Sequence, residues 1–577
     1  MSMEEKKLTG YPSIDKPWLK YYSEEALNTS LPECTLFEML WGNNKDHLGD
    51  IALNYFDRKI TYRQLFDGIE KTAKAFSALG VKKGETVAIC SVNTPETVYA
   101  LYALNRLGAV ANMIDPRTNA DGVKHYLEEC NIRFVMTIEL AYPLFVKVEE
   151  AYKIEKIISV SAADSLPQPK NFLYRLKNKQ PTLQENAMIW IEFIALGNGT
   201  EVQDMPYQKD RCSVIAHTGG TTGTPKGVML SDDNMNAIVH SYRFVEIPFK
   251  RKNRFFNDLP PFIIYGLSLS THTALCYGLE VIYCPVFDSK GFPKNFAKYK
   301  PNYFASLPDH LKFLALNRAT RNMNLDFLII AAAGGDAVSL EVEKSCNEYL
   351  QRQNCKYAVT KGYGMTEICA VATFTTPSAN ALGSVGIPLA LNTVKIVDVD
   401  TTKEVQVNQT GEIWFSSPSI MIGYYNKPEE TAEIIVTDEM GIRWIRTGDL
   451  GHITEDGLLF HEGRIRRIYI TSHEGQPAKI FPFLVEDHIR NSDDVFDCVV
   501  VGRLKENSAN YEPVAYVILK NQQAAPATVK IELETTCREN LPSYMWPVEY
   551  NFVDEFPHTP IGKVDYRALE KEAEKIQ

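Results

Sequence analysis

The sequence predicts an α/β protein: a large N-terminal domain of layered α/β subdomains that includes a β-rich portion, and a small α+β C-terminal domain. Three observations predict this. Short apolar runs alternate with segments of helical period through the first third of the chain, the rhythm of parallel strands joined by helices. Beyond Gly386 the texture changes to β-rich runs such as Thr393–Val397 and Gly411–Phe415. After Gly463-Arg464 a separate α/β pattern starts, and 577 residues are too many for one hydrophobic core, which stops growing at roughly 250–300. The boundary is expected at 463–466, giving domains of 1–465 and 466–577.

Ile60–Leu65 opens a helical segment in which Ile69, Ala73, Phe76 and Leu79 recur, ending at Gly80. Thr86–Cys90 reads as a buried strand, Pro95–Leu107 as a helix stopped by Gly108, and Val110–Ile114 as the next strand. Asp115-Pro116 makes a turn, Tyr126 and Leu127 lie in another helix, and Phe134–Met136 is the next apolar run. A polar stretch, Leu196–Arg211, precedes the most informative loop, and the α/β rhythm resumes from Asp258 to Ala333. The last segment has its own α/β pattern, which includes Asp497–Val501, Val514–Leu519 and a final charged helix.

Hydrophobic residues make up 45% and charged residues 23%, ordinary globular usage, so disorder on a domain scale is not expected. A formal net charge of −11 argues against nucleic acid as the main partner, which needs a basic footprint. A small anionic ligand stays open, because a local cluster of donors can hold it. The N-terminus is charged, without the apolar core of a secretory signal. No run approaches the roughly 18 apolar residues of a membrane span; Phe327–Ala333 ends at Gly334-Gly335-Asp336. The eleven cysteines are scattered with no C-x-x-C pair, the pattern of reduced thiols rather than a zinc site. A cytoplasmic protein without an integral membrane segment is expected.

The strongest single signal follows Val214–Ala216: Thr218-Gly-Gly-Thr-Thr-Gly-Thr-Pro-Lys-Gly227. Gly219, Gly220, Gly223 and Gly227 let backbone amides approach an anion closely. Thr218, Thr221, Thr222 and Thr224 add hydroxyl donors, and Lys226 adds a compact positive charge. Such a loop suits the pyrophosphate end of a nucleotide, and a plain Gly/Thr surface turn is the bland alternative. It is not a Walker A loop, because Pro225 precedes the lysine and Gly227 follows it. Further along come Gly334-Gly335-Asp336, Gly362-Tyr363-Gly364-Met365-Thr366-Glu367, Thr447-Gly448-Asp449, Gly463-Arg464 and Pro557-His-Thr-Pro-Ile-Gly-Lys563. Taken singly, the glycine motifs could be structural turns, and Asp449 and Arg464 a cap and a surface charge.

In this order, and over nearly the whole chain, these motifs resemble the adenylate-forming superfamily of acyl-CoA synthetases, peptide-synthetase adenylation domains and luciferases. The chain is identified as a member of its acyl-CoA synthetase (AMP-dependent synthetase and ligase) family. The family usually has Ser where this chain has Gly219; the variant found here is seen in fatty acyl-CoA synthetases and keeps the backbone amide. The resemblance implies roles. Residues 218–223 and Lys226 hold the ATP phosphates, Gly334–Asp336 wall the adenine pocket, and the Tyr363 ring, within Gly362–Met365, packs on adenine. Thr366 contacts the α-phosphate, Glu367 helps hold Mg²⁺, Asp449 accepts from both ribose hydroxyls, and Arg464 contacts the ribose side. Lys563 bridges the substrate carboxylate and the α-phosphate.

The implied reaction has a small-molecule carboxylic acid attack the α-phosphorus of ATP, releasing pyrophosphate and leaving an acyl-adenylate. Lys226, Lys563 and Mg²⁺ screen the negative charge that gathers, and no protein nucleophile is assigned. A thiol, coenzyme A, then takes the acyl group. In the resembled family the small domain is mobile and turns about a hinge that aligns with Arg466.

Two departures bear on substrate choice. The family often has His in the central motif, whereas Leu259-Pro-Pro-Phe-Ile-Ile-Tyr-Gly-Leu267 places Ile263 there; Phe262, Ile263, Tyr265 and Gly266 are the expected acyl-pocket residues. The stretch from Ile468 to Pro482 is lengthened and includes His473 and Glu474, where the family has the loop lining the thiol route. A separate carrier protein as acyl acceptor therefore stays open beside coenzyme A, as does a nucleotide sensor without catalysis. With Gln577 as the last residue no carrier domain is expected after Lys563, and Asn257-Asp258 lies near the position where amino-acid-activating relatives carry an aspartate.

Overall fold

Thr86–Cys90, Val110–Ile114 and Phe134–Ile138 are buried along their whole length, as strands covered on both faces must be. The computed structural model describes residues 8–178, 181–218, 225–247, 249–285, 291–335, 338–505, 508–520, 525–559 and 564–575. In it these strands lie in an eight-stranded sheet. Its parallel part runs in the order Cys212–His217, Val110–Ile114, Thr86–Cys90, Phe134–Ile138, Lys156–Val160, Ala187–Ile189. Gly227–Ser231 and Gly423–Tyr424 extend it antiparallel at the first edge.

The helices that cover this sheet begin and end where their capping residues dictate. Tyr62–Leu79 starts from a reciprocal cap: Thr61 accepts from the Gln64 amide, and the Gln64 side chain accepts from the Thr61 amide. It stops at Gly80 and buries Leu65, Ile69, Ala73 and Phe76. Pro95–Leu107 starts on the Thr94 cap with Pro95 in its first turn and stops at Gly108. Both helices pack in a core that also takes Phe255, Val281 and Tyr303 from a second sheet. Each such fully buried large apolar side chain stabilises by about 1.5–3 kcal/mol.

The second sheet has 14 strands. One half is parallel, through Ile51–Tyr55, Glu280–Tyr283, Arg254–Asn257, Tyr303–Ser306, Ile330–Ala333 and Thr360–Tyr363. The other half is antiparallel, through Thr373–Phe374, Ser384–Pro388, Leu459–Arg464, Arg443–Ile453, Gly411–Ser416 and Thr393–Val397. This is the β-rich texture that begins near Gly386.

After Arg464 a single turn, Ile465–Arg467, leads into smaller sheets. Val495–Leu504, Tyr511–Leu519 and Glu549–Phe552 make a three-stranded sheet. With the helices Pro482–Arg490 and Pro526–Asn540 it encloses a core of Val485, Ile489, Val500, Ala515, Val517 and Leu533. Contacts to the rest of the chain include Lys479 on Asp400 at 2.7 Å, Lys520 on Glu341 at 3.1 Å, and Lys312 over the Phe496 ring at 5.1 Å. The lengthened stretch is a two-stranded hairpin, Tyr469–His473 with Gln476–Ile480. Its two turn residues, Glu474 and Gly475, both have positive φ (52° and 78°), the geometry that matches a tight turn to strand twist. All eleven cysteines are free thiols. Among the described residues no helix is long and apolar enough to cross a membrane.

Candidate functional site

Several parallel strands end at the motifs. The Thr218 loop follows Cys212–His217, Gly334 follows Ile330–Ala333, and Asp258 follows Arg254–Asn257, the strand ends at which α/β sheets bind ligands. The loop joins two antiparallel strands, unlike the strand–loop–helix of a Walker nucleotide site. Its neck is closed by two hydrogen bonds: the Thr218 amide donates to the Lys226 carbonyl at 3.0 Å, and the Lys226 amide donates to Thr218 Oγ1 at 3.1 Å. Gly219, Gly220, Thr221, Thr222, Gly223 and Thr224 lie outside the described residues, as do Asp336 and Lys563.

The short strand Gly423–Tyr424 pairs with Gly227–Ser231 and so sets Tyr424 beside Lys226. The Lys226 ammonium lies 4.6 Å from the centroid of the Tyr424 ring. The Tyr424 hydroxyl donates to Glu367 Oε1 at 2.6 Å. Glu367 shares a tight turn with Thr366 and is buried. Gly364 allows this turn to fold back, since any side chain there would run into the Ala370 carbonyl. Burial pushes the Glu367 carboxyl up, and the Tyr424 hydrogen bond and the charges of Arg464 and Lys226 oppose it. Tyr424 was not legible as a site residue; a two-residue strand after Gly423 is too short to stand out.

Asp449 forms the second cluster. It sits directly across from Arg464 on neighbouring strands, with the guanidinium Nε 3.3 Å from Oδ1. The Tyr363 hydroxyl donates to Asp449 Oδ2 at 2.6 Å, and His461 Nε2 lies 3.8 Å from Oδ1. Burial alone would raise the Asp449 carboxyl; His461, Arg464 and Tyr363 together outweigh it and hold it below the ordinary carboxylate range. The Tyr363 ring stacks on Phe415 (6.0 Å between centroids) and tilts against His461 (5.5 Å). Its strand is anchored by Lys361, whose buried ammonium donates to Glu343 and to the Ala381 carbonyl. His461 is a second residue that sequence reasoning missed. The two clusters are neighbours, because Arg464 acts on both Asp449 and Glu367. The Arg466 charge bears on Tyr424.

The third element is the Gly334-Gly335 turn. The Gly334 amide donates to the Ser306 carbonyl at 3.0 Å, and Gly335 has φ +83°, open to glycine without strain. Tyr265 lies against this turn, its hydroxyl 3.2 Å from where a Gly334 Cβ would be. Residues 265–273 form a wide π-helical turn, an arrangement frequent at functional sites. Gly266 meets the carbonyls of Leu259 and Pro260 so closely that no side chain fits there. Phe262 is buried under the Arg117 guanidinium, and Ile263 packs partly buried against the main core. Asp258 is buried and internally satisfied: Ser306 Oγ donates to it at 3.0 Å, and His310 Nδ1 lies 3.0 Å from its second oxygen.

The arrangement therefore gathers two buried carboxylates, Glu367 and Asp449, among the cations Lys226, Arg464 and Arg466. Among the described residues no group of three or more His, Cys, Asp or Glu could hold a metal ion by itself. A lone hard carboxylate such as Glu367 suits Mg²⁺ carried in with phosphate oxygens and waters. The remaining Glu367 oxygen is free of the Tyr424 hydrogen bond, and a cation there would offset the burial that disfavours its charged form.

Residues 40–425 match the AMP-binding enzyme family, and residues 484–563 match the AMP-binding enzyme C-terminal domain. The chain is similar to the long-chain-fatty-acid–CoA ligase of Bacillus subtilis (strain 168), 27% identical over 577 residues that cover 97% of this chain and 98% of that protein. It is also similar to the indoleacetate–CoA ligase of Aromatoleum aromaticum (strain DSM 19018 / LMG 30748 / EbN1), 28% identical over 524 residues, 89% of this chain and 94% of that protein. Among solved structures, ATP-bound MatB from Rhodopseudomonas palustris aligns with TM-score 0.78 at 20% identity, over 94% of this chain and 100% of that one. The anthranilate CoA ligase AuaEII in complex with anthranoyl-AMP aligns with TM-score 0.77 at 20% identity, over 95% and 98%. At such identities the structural likeness speaks for the fold.

Proposed function

The chain belongs to the AMP-binding enzyme family, and from that premise we propose that it is an ATP-dependent acyl-CoA synthetase. One observation carries the reading: Lys226, Tyr363, Glu367, Asp449 and Arg464, scattered along the chain, meet in one neighbourhood at the sheet ends. Asp449 offers two carboxylate oxygens to the ribose diol, with Tyr363 and Arg464 holding it in place. Lys226 and the loop it closes take the phosphates. Thr366 and Glu367 stand where the α-phosphate and its counter-ion are handled. Gly334, Gly335 and Tyr363 border the base, and Phe262, Ile263, Tyr265 and Gly266 border the acid.

In this site a carboxylate oxygen of the acid forms a bond to the α-phosphorus while the bond to pyrophosphate breaks. The product is a mixed anhydride whose leaving group is AMP instead of oxide. Positioning and charge screening supply the acceleration, through Lys226 and, from its sequence motif, Lys563. Mg²⁺ bound with ATP neutralises phosphate charge. The coenzyme A thiolate then attacks the acyl carbon, expelling AMP and leaving the thioester, after residues 466–577 turn about Arg466.

The relatives named for long-chain fatty acids and for indoleacetate support an apolar acid. Asp258 supports it too, because its carboxylate is already engaged by Ser306 and His310 and has no call on a substrate ammonium. The test is pyrophosphate release with a panel of fatty, aryl and amino acids, with coenzyme A or with a phosphopantetheinylated carrier protein. Release with fatty or aryl acids, and thioester on coenzyme A, are expected. Acyl transfer to the carrier alone would reassign the acceptor, and ATP binding without release for any acid would reject the enzyme reading.

A further inference from the structure

We propose that the helix Lys170–Lys177 and the surface around it form a peripheral docking face for an anionic lipid bilayer. The helix is held by one face. Asn171 Nδ2 donates to the Ala163 carbonyl at 2.6 Å, the Tyr174 hydroxyl to Glu139 at 2.8 Å, and Arg175 to Asp164 at 2.8 Å. Helical spacing then turns Phe172, Leu173 and Leu176 outward together, and they are 58%, 59% and 66% exposed. Leu140, next to the Glu139 that grips the helix, is 75% exposed, and Ile191 is 72% exposed. Glu139, Arg175 and Ile191 line a cleft of about 460 Å³ along the held side of the helix, and Phe172, Leu173 and Leu176 form the contiguous apolar group on its outward side. Single exposed apolar residues are ordinary, whereas a contiguous group marks something that covers it.

Charge identifies what covers it. The helix carries Lys170, Arg175 and Lys177 and no acid, in a chain whose net charge is −11. Beside it, at the tip joining Ile51–Tyr55 to Arg58–Thr61, Asp57 takes both Lys170 at 2.9 Å and Lys298 at 2.7 Å, one carboxylate for two ammonium groups. Phe56 lies exposed beneath Lys170, 5.9 Å from its ammonium, and the exposed Arg58 and Lys59 follow. Even with Asp57, Asp164 and Glu139 counted, the rim is net positive. Apolar side chains framed by lysines match a bilayer surface, with the rings and aliphatic groups in the acyl boundary and the ammonium groups among anionic head groups. The proposal is independent of the active-site reading.

The test uses the full chain and extruded vesicles of phosphatidylcholine, with and without phosphatidylglycerol, followed by sedimentation. Binding to the anionic vesicles is expected to be at least tenfold tighter than to the neutral ones, and to weaken as salt is added. Phe172→Ser/Leu173→Ser/Leu176→Ser should lower partitioning at least tenfold, with an unchanged melting temperature because all three positions are exposed. Lys170→Gln and Lys177→Gln should each lower anionic binding about fivefold. Absence of binding to anionic vesicles, or undiminished binding of the triple variant, overturns the proposal. So does a triple variant that changes oligomeric state on size exclusion while the native chain ignores vesicles, since the face would then join copies of this chain.

Discussion

The Tyr424 hydroxyl donates to Glu367 while the Tyr424 ring lies under the Lys226 ammonium, so one side chain sets both an acidic and a basic group of the proposed phosphate site. Tyr424→Phe keeps the ring and removes the hydrogen bond. A hydrogen bond to a charged group is worth about 1.5–3 kcal/mol, so roughly a tenfold or greater loss in kcat/KM for pyrophosphate release is expected at limiting Mg²⁺. Tyr424→Leu, which also removes the ring, should cost more. A Mg²⁺ titration of both variants checks this, and equal curves for Tyr424→Phe and the native enzyme would count against the arrangement.

Asp449 is the carboxylate on which Tyr363, His461 and Arg464 converge. Asp449→Asn keeps the shape and removes the charge, and should raise the ATP KM about tenfold or more, with a smaller effect from Tyr363→Phe. Calorimetric titration with ATP separates this from a folding defect, because affinity should fall while the stoichiometry stays unchanged.

Glu96 gives a pH dependence unconnected with the site. It lies buried in the first turn of Pro95–Leu107, with Ser165 donating to one oxygen and the other without a partner among the described residues. Burial pushes its carboxyl from 4.5 up to about 7. A folded pKa raised above the unfolded one contributes stability that is full below about 4.5 and is lost as pH rises through about 7. Glu96→Gln should flatten that slope and add about 3 kcal/mol at pH 8. Urea unfolding at pH 5 and pH 8 reads the difference; a native chain equally stable at both would contradict it.

The pair of Lys361 and Glu343 anchors the strand that carries Tyr363, and both side chains are buried. Burial depresses the Lys361 ammonium, and Glu343 opposes that. Glu343→Ala would leave a buried cation unpaired and should destabilise by about 3–5 kcal/mol. The double replacement Lys361→Met/Glu343→Leu should recover most of it, as thermal unfolding of the three proteins would show.

Much of the fold was legible because local signals and tertiary packing agree. Tyr62–Leu79 and Pro95–Leu107 carry their caps and glycine stops in the sequence, and Thr86–Cys90 has strand length with Val87–Cys90 an unbroken apolar run. The site motifs were legible as motifs, whereas their partners were not. Asp449 faces Arg464 through strand register, which an irregularity between Leu450 and Gly451 adjusts, and no local pattern states that. Tyr424 is a single residue brought in by pairing with the distant strand Gly227–Ser231, and His461 is set by the register of the hairpin that pairs Leu459–Arg464 with Arg443–Ile453. The hairpin Tyr469–Ile480 was visible only as extra length, although Glu474-Gly475 is a turn pair in hindsight.

The measurement that bears most directly on the central claim is the product balance from ATP. With Mg²⁺, a long-chain fatty acid and coenzyme A, AMP, pyrophosphate and acyl-CoA are expected in equal amounts, and acyl-adenylate with an equal amount of pyrophosphate, without free AMP, when coenzyme A is withheld. ADP and phosphate as products, or acyl-CoA formed without ATP consumption, would contradict it.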